Sequence, residues 1–287
     1  MHLRSAVTAV LALTVSLATL ACHSESIEHG PIAGHTCTVI VVDSPPDGEP
    51  PARLLRRRFG EHRTACLGGP AHAHEMVSAG AGLVAASVDE ALASTLSSVF
   101  IRAGVVCEES NDPTGVELAG AAKNAAALAS GATEKQGLNA AGAAAGHIFA
   151  EVWRWAEAEG ARPESMIGLA GTGDLVATAL APQSRNRRAG ELLAEGVPAA
   201  EIGGRVGQAV EALESVPLLA RALTRAGVEA PVTRALGQLI SGDLPLDEWV
   251  EVVRATVPPP PRSRAVVQGG FWRRLWGRIR YLLRSRP

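Results

Sequence analysis

The spacing of apolar positions changes character near residue 110. Before that point they come in short continuous runs, at 38–42, 64–67, 81–87 and 105–107, each bounded by polar or glycine positions. Such runs mark strands buried on both faces. Turn residues cluster at 43–48 and at Gly68-Gly69-Pro70, and the stretches 51–59 and 88–100 read as helices. After Pro113 the period becomes helical and stays so. Helices are predicted over 115–130, 139–160, 184–195, 201–226, 231–240 and 246–256, punctuated by Gly or Pro. The pattern therefore predicts an incomplete α/β domain over 1–110, an all-α domain over 111–256, and a terminal segment, 257–287, opening with a proline spacer at 258–261. The N-terminus has two readings. Arg4, the apolar run 6–21 and Thr19-Leu-Ala-Cys22 have the layout of a signal peptide, and the same residues suit an Ala-rich helix followed by a strand over 15–22.

Composition narrows the packing. Apolar residues make up 47% of the chain but aromatic ones only 3%, so Ala, Leu, Val and Gly must fill the interior, which favours close-packed helices over a β-sandwich. The net charge of −2 is unevenly spread: no acid follows Ala255, and eight arginines fall between Arg262 and Arg286. The tail is thus +8 and residues 1–261 are −10 by difference. An acidic body excludes nucleic acid as the expected partner. In the tail, Phe271, Trp272, Leu275, Trp276, Ile279, Leu282 and Leu283 share one side of a helix, with most of Arg273, Arg274, Arg278, Arg280 and Arg284 on the other. Residues 271–286 thus read as a basic amphipathic helix suited to the face of an anionic membrane. Docking onto the acidic body or a partner subunit is the alternative. Cys22, Cys37, Cys66 and Cys107 have no CxxC spacing and no histidine pattern, so reduced thiols and no metal site are expected.

Two lysines stand against 25 arginines, and one of them, Lys123, lies in Gly115-Val-Glu-Leu-Ala-Gly-Ala-Ala-Lys-Asn124. A chain that uses arginine wherever a permanent charge serves keeps lysine where an amine must give up its proton. No acid stands three or four residues away on that helix. Burying an amine without a carboxylate partner lowers its pKa, as a general base near neutral pH requires. A lysine snorkelling to water is the plain alternative. Asp174 follows Gly171-Thr-Gly173 and either caps a helix or faces Lys123 to hold a substrate hydroxyl. Ser184-Arg-Asn-Arg-Arg188 opens a helix with Ser184 as N-cap. Its arginines oppose the helix dipole, and a bound phosphate on Arg185 and Asn186 would relieve that conflict; a solvated basic patch is the alternative. The pair His72-x-His74 lacks a third ligand and reads as surface.

These segments, in this order and spacing, resemble the bacterial NAD(P)-dependent glycerol-3-phosphate dehydrogenase family, over roughly residues 15–256. The resemblance implies that Lys123 exchanges the proton of the substrate 2-hydroxyl and binds substrate with Asn124. It implies that Asp174 and Thr178 bind substrate, and that Ser184, Arg185 and Asn186 bind its phosphate, with Arg185 also at the cofactor. Gly207-Gln-Ala-Val-Glu211 matches a stretch that places Glu211 at the nicotinamide cofactor. Leu67-Gly-Gly-Pro-Ala-His-Ala73 resembles a cofactor loop, with Gly69 and Ala73 as its contacts. The implied fold is a partial Rossmann-like α/β domain followed by an all-α domain of the 6-phosphogluconate-dehydrogenase C-terminal type. The implied reaction interconverts dihydroxyacetone phosphate and sn-glycerol 3-phosphate with NAD or NADP, in glycerophospholipid synthesis. The implied location is cytoplasmic, and a homodimer is left open; the tail, which lies outside the likeness, adds by its own pattern the expectation of a peripheral place at the inner face of the membrane. The resemblance favours helix and strand over a signal peptide at the N-terminus.

The departures are equally specific. The pyrophosphate fingerprint, strand then Gly-x-Gly-x-x-Gly then helix, does not occur. The first residues match the family's fourth-strand region, with Ala21-Cys-His-Ser24 where Val-Pro-Ser usually stands, so on the order of seventy residues of the dinucleotide fold lack a counterpart. A second family lysine would fall near Asp43-Ser44, where the charge is reversed. These departures define an alternative: a non-catalytic homologue that keeps the phosphate-ester site without the cofactor loop.

Overall fold

The computed structural model describes residues 9–12, 27–32, 35–40, 50–181 and 183–257. Within these, one mixed sheet contains β1 (Ala9–Ala12), β2 (Ile27–Ile32), β3 (His35–Ile40), β4 (Thr64–Gly68), β5 (Gly82–Ala86) and β6 (Val106–Ser110). The order is β2-β3-β1-β4-β5-β6. Strand β1 runs parallel to β3 and β4, and β5 parallel to β6, while the β2–β3 and β4–β5 pairs are antiparallel. Helices α1 (Pro51–Phe59), α2 (Ala73–Ala79) and α3 (Glu90–Arg102) connect the strands from β3 onward. The apolar runs from residue 64 onward are strands as predicted. Strand β1, however, falls where an Ala-rich helix was expected, and residues 15–22 lie outside the described residues.

The remainder is helical: α4 (Pro113–Thr133), α5 (Leu138–Ala158), α6 (Pro163–Ile167), α7 (Asp174–Leu180), α8 (Arg185–Ala194), α9 (Ala199–Val206), α10 (Glu211–Arg225), α11 (Pro231–Ser241) and α12 (Leu246–Ala255). The single helix predicted over 201–226 is two. Gly207 closes α9 in the left-handed region at φ 74°, and the chain stays non-helical until Glu211. Apolar spacing carries across that break, so periodicity could not reveal it. Met1–Thr256 forms one compact unit, and residues 271–286, predicted as a helix, belong to the other and lie outside the described residues. No described helix is long and apolar enough to cross a membrane.

Helix α4 is the centre of the packing. Its Ala and Gly residues are buried nearly all round, including Ala119, Ala122, Ala125, Ala126 and Ala129. A helix without a polar face must be enclosed on every side, and side chains this small let neighbours approach its backbone. The α4–α8 crossing makes that limit explicit. A Cβ at Gly131 would lie 2.1 Å from the Arg187 carbonyl oxygen, and one at Gly190 would lie 2.0 Å from the Leu128 carbonyl oxygen. The two glycines therefore set how closely the start of α8 stands against α4.

Buried carboxylates fix the other helices. Glu117 on α4 accepts from the Ala52 amide at 2.8 Å, tying down the start of α1. Glu151 on α5 accepts from the Val232 and Thr233 amides at 3.0 and 2.8 Å and from the Thr233 hydroxyl at 2.6 Å. It thereby satisfies amides that the start of α11 leaves without intrahelical partners. Asp112 caps α4 through the Gly115 amide at 2.8 Å and accepts from the Arg162 amide and Ser165 hydroxyl, both at 2.7 Å.

The α4–α8 contact yields a direct test. Gly190→Ala places a methyl group against backbone that cannot step aside, so it should cost at least about 1–3 kcal/mol of stability. Urea unfolding monitored by circular dichroism measures this, and an unchanged midpoint would show that the helices are not held at this separation.

Candidate active site

Two segments distant in sequence meet beside α4. The chain leaves α6 through Leu169–Gly173, a π-helical turn in which the Gly173 amide donates to the Gly168 carbonyl at 3.0 Å. A Cβ at Gly171 would lie 1.9 Å from the Met166 carbonyl oxygen, so this close turn requires glycine. Such five-residue turns recur at functional sites because they displace the next side chain from its regular helical position. Here the next residue is Asp174, the first of α7. Its Oδ2 lies 3.1 Å from Lys123 Nζ, and its Oδ1 accepts from the Thr178 hydroxyl at 3.3 Å. The Lys123 and Asp174 side chains are 7% and 8% exposed, so this is a buried ion pair.

That geometry corrects one premise of the sequence reading. Lys123 has a carboxylate partner, supplied from 51 residues away instead of from its own helix. Burial pushes the Asp174 carboxyl above its ordinary value, while Lys123, the Thr178 hydroxyl and His72 pull it back. His72, read as surface, is half-buried, and its Nδ1 lies 3.9 Å from Glu75 Oε2. Its signal in the sequence was its place in the 67–73 loop, where a titratable side chain follows Pro70-Ala71.

A second cluster adjoins the pair through Asn124, the residue after Lys123. Asn124 donates to Glu211 Oε2 at 3.0 Å and accepts from Asn186 Nδ2 at 3.0 Å. Asn186 Oδ1 accepts from the Ala212 amide at 3.1 Å, which ties α8 to the start of α10. Arg185 donates to the Ala209 carbonyl at 2.6 Å and lies 3.6 Å from Glu211 Oε1. The predicted residues Lys123, Asn124, Asp174, Thr178, Arg185, Asn186 and Glu211 thus form two polar groups, which meet only at the consecutive residues Lys123 and Asn124. Ser184 caps α8, its hydroxyl accepting from the Arg187 amide at 3.3 Å.

Two of the arginines that open α8 are not left unrelieved, contrary to the expectation from the helix dipole. Arg187 donates to both oxygens of Glu134 at 2.8 Å, and Arg188 donates to Glu191 at 2.8 Å. The protein's own carboxylates offset these charges at the helix start, so Arg187 and Arg188 do not call for a bound anion. Gly69, at the end of β4 with φ 126°, packs against β5: a Cβ there would lie 2.5 Å from the Gly82 carbonyl oxygen. Its glycine requirement therefore comes from the sheet. Ala73 is the first residue of α2.

A separate cavity of about 430 Å³ beside β6 and α6 is lined by Glu90, Glu108, Glu109 and Glu164, with Arg162. Its acidic wall would repel a phosphorylated ligand, and it includes neither Lys123 nor Asp174. The paired Lys123 and Asp174 remain the better candidate centre.

The raised Asp174 carboxyl carries a pH signature. The folded state keeps a proton here that the unfolded chain has already released. This group's contribution to stability is present below the ordinary carboxylate range and is lost as pH rises from there to the raised value. Asp174→Asn should remove that fall. It also leaves the Lys123 ammonium without its carboxylate, so stability at neutral pH should drop by about 3–5 kcal/mol. Urea unfolding at several pH values measures both effects, and an unchanged pH dependence would contradict the assignment.

Comparisons with known proteins identify the family and the fold. Residues 112–251 match the family model for the NAD-dependent glycerol-3-phosphate dehydrogenase C-terminus. The chain is 33% identical over 255 residues to a glycerol-3-phosphate dehydrogenase [NAD(P)+] of Bradyrhizobium sp. strain BTAi1, covering 88% of this chain and 72% of the relative. It is 38% identical over 191 residues to the Deinococcus radiodurans protein of the same name, covering 64% of this chain and 56% of that one. The solved glycerol-3-phosphate dehydrogenase of Coxiella burnetii superposes with a TM-score of 0.68 at 28% identity, covering 74% of this chain and 66% of that chain. By sequence and by fold, the chain belongs to the NAD(P)-dependent glycerol-3-phosphate dehydrogenase family.

Proposed function

We propose that this chain interconverts dihydroxyacetone phosphate and sn-glycerol 3-phosphate with NAD or NADP, using Lys123 as the proton-transfer group. The buried Lys123–Asp174 pair carries this reading. In the reducing direction the Lys123 ammonium donates a proton to the carbonyl oxygen that becomes the 2-hydroxyl. Asp174 holds the ammonium in place, and Thr178 fixes the carboxylate through its second oxygen. In the reverse direction the neutral amine takes the hydroxyl proton. Arg185 and Asn186 grip the substrate phosphate, and Asn186 donates to Asn124, the residue after Lys123 in the chain.

The polar groups beside Lys123 suit the nicotinamide end of the cofactor. Arg185 offers donors and Glu211 a carboxylate acceptor, the chemistry that meets a carboxamide. The bound dinucleotide supplies the hydride. Gly69 and Ala73 belong to the same proposed surface by resemblance alone.

Lys123→Ala should lower turnover by about 10²–10⁴-fold while leaving glycerol 3-phosphate able to stabilise the protein. Arg185→Ala should abolish that stabilisation. An assay of NADH or NADPH oxidation with dihydroxyacetone phosphate, combined with thermal melts, separates the two roles. Full activity in Lys123→Ala would overturn the reading. Arg185-dependent stabilisation without wild-type turnover would favour the phosphate-ester binder, the reading motivated by the missing Gly-x-Gly-x-x-Gly.

The tail supports a proposed location: a cytoplasmic enzyme held at an anionic membrane face by residues 271–286. The +8 charge of the tail from Arg262 onward and the apolar side of residues 271–286 motivate it. Co-sedimentation with liposomes should require anionic lipid, weaken with salt and vanish on deletion of residues 258–287. Binding indifferent to the deletion would remove the case. Light scattering on the same sample tests for a homodimer.

A further inference from the structure

The outer faces of α10 and α11 form a groove of about 580 Å³ lined by nine residues. Pro217 and Ala220 on α10 face Gly237 on α11, where a Cβ would stand 3.7 Å from the Ala220 Cβ and 3.8 Å from the Pro217 Cα. These small side chains give the groove an apolar floor. Arg221 and Arg225 line it one helical turn apart on α10, and Arg234 lines it from α11. No carboxylate lines it.

The arginines are the informative part. From Arg154 to Arg254, the other seven each have an acceptor, such as Glu134 for Arg187 and Glu201 for Arg205. Among the described residues, Arg221, Arg225 and Arg234 have no hydrogen bond or ion pair. Of the described exposed arginines without an acceptor, Arg58, Arg63 and Arg102 lie apart, on α1, just before β4 and on α3, whereas Arg221, Arg225 and Arg234 share one apolar groove.

Charge excludes the chain's own tail as occupant, since its +8 would be repelled. Size argues against a protein partner: a stable interface uses about 20–30 residues a side, and nine residues line this groove. The volume does fall within the roughly 300–1,000 Å³ of small-ligand sites. No aromatic side chain lines the groove, so it offers no platform for a nucleotide base. An apolar floor with guanidiniums along its edges instead matches a molecule with a slender apolar chain and an anionic head. Arginine's planar donor pairs fit phosphate oxygens two at a time.

We propose that the α10–α11 groove binds a single-chain amphiphile with a phosphate-monoester head, its chain along Pro217, Ala220 and Gly237 and its phosphate on Arg221, Arg225 and Arg234. The site is separate from Lys123 and Arg185 and does not depend on the catalytic reading.

Dodecyl phosphate below its micelle concentration is the probe, titrated into the full chain by calorimetry. One saturable site is expected, weakened at least about tenfold in Arg221→Ala/Arg225→Ala/Arg234→Ala. Circular dichroism checks that this variant folds. Gly237→Val, which fills the floor, should give the same loss and serves if the triple variant does not fold. Inorganic phosphate and neutral dodecyl maltoside should each bind at least about tenfold more weakly than dodecyl phosphate. Affinity unchanged by these groove substitutions, or equal affinity for the neutral detergent, would overturn the proposal. So would loss of binding in Arg185→Ala or on deletion of residues 258–287, because either would place the ligand elsewhere.

Discussion

The fold depends on how closely backbone can approach backbone around α4. The Ala- and Gly-rich sequence of that helix lets α8 cross it where Gly131 and Gly190 leave no room for a methyl group. This contact brings Asn186 to Asn124, and through them α10 to α4. A larger side chain at either glycine would separate the helices that carry the polar cluster. Packing and site geometry are therefore one constraint: the residues that make the core dense also set the distances at which chemistry is proposed to occur.

Buried charge is handled consistently. Glu117, Glu151 and Asp112 each accept from backbone amides of a second element, so their burial fixes helix positions. Lys123 and Asp174 differ. They face each other and the Thr178 hydroxyl, and burial raises the Asp174 carboxyl despite the neighbouring ammonium. Desolvation outweighs attraction here, as is common for buried ion pairs.

Local pattern was enough to read most elements. The apolar runs from residue 64, the helix boundaries set by Gly and Pro, and the Ser184 cap all follow from interactions within a few residues. The motifs around Lys123, Asp174 and Arg185 also pointed to the family, because their residue types and order are visible along the chain. Tertiary structure decided what depends on distant partners. The lysine considered to lack a carboxylate gained one across 51 residues, and Arg187 found Glu134 across 53. Gly207 broke a helix whose apolar period ran on unchanged. Sequence determined backbone preference and burial pattern, which are local. Only the folded chain set the pairing of charges and the level of the Asp174 carboxyl, because Coulomb attraction and desolvation depend on separations in space.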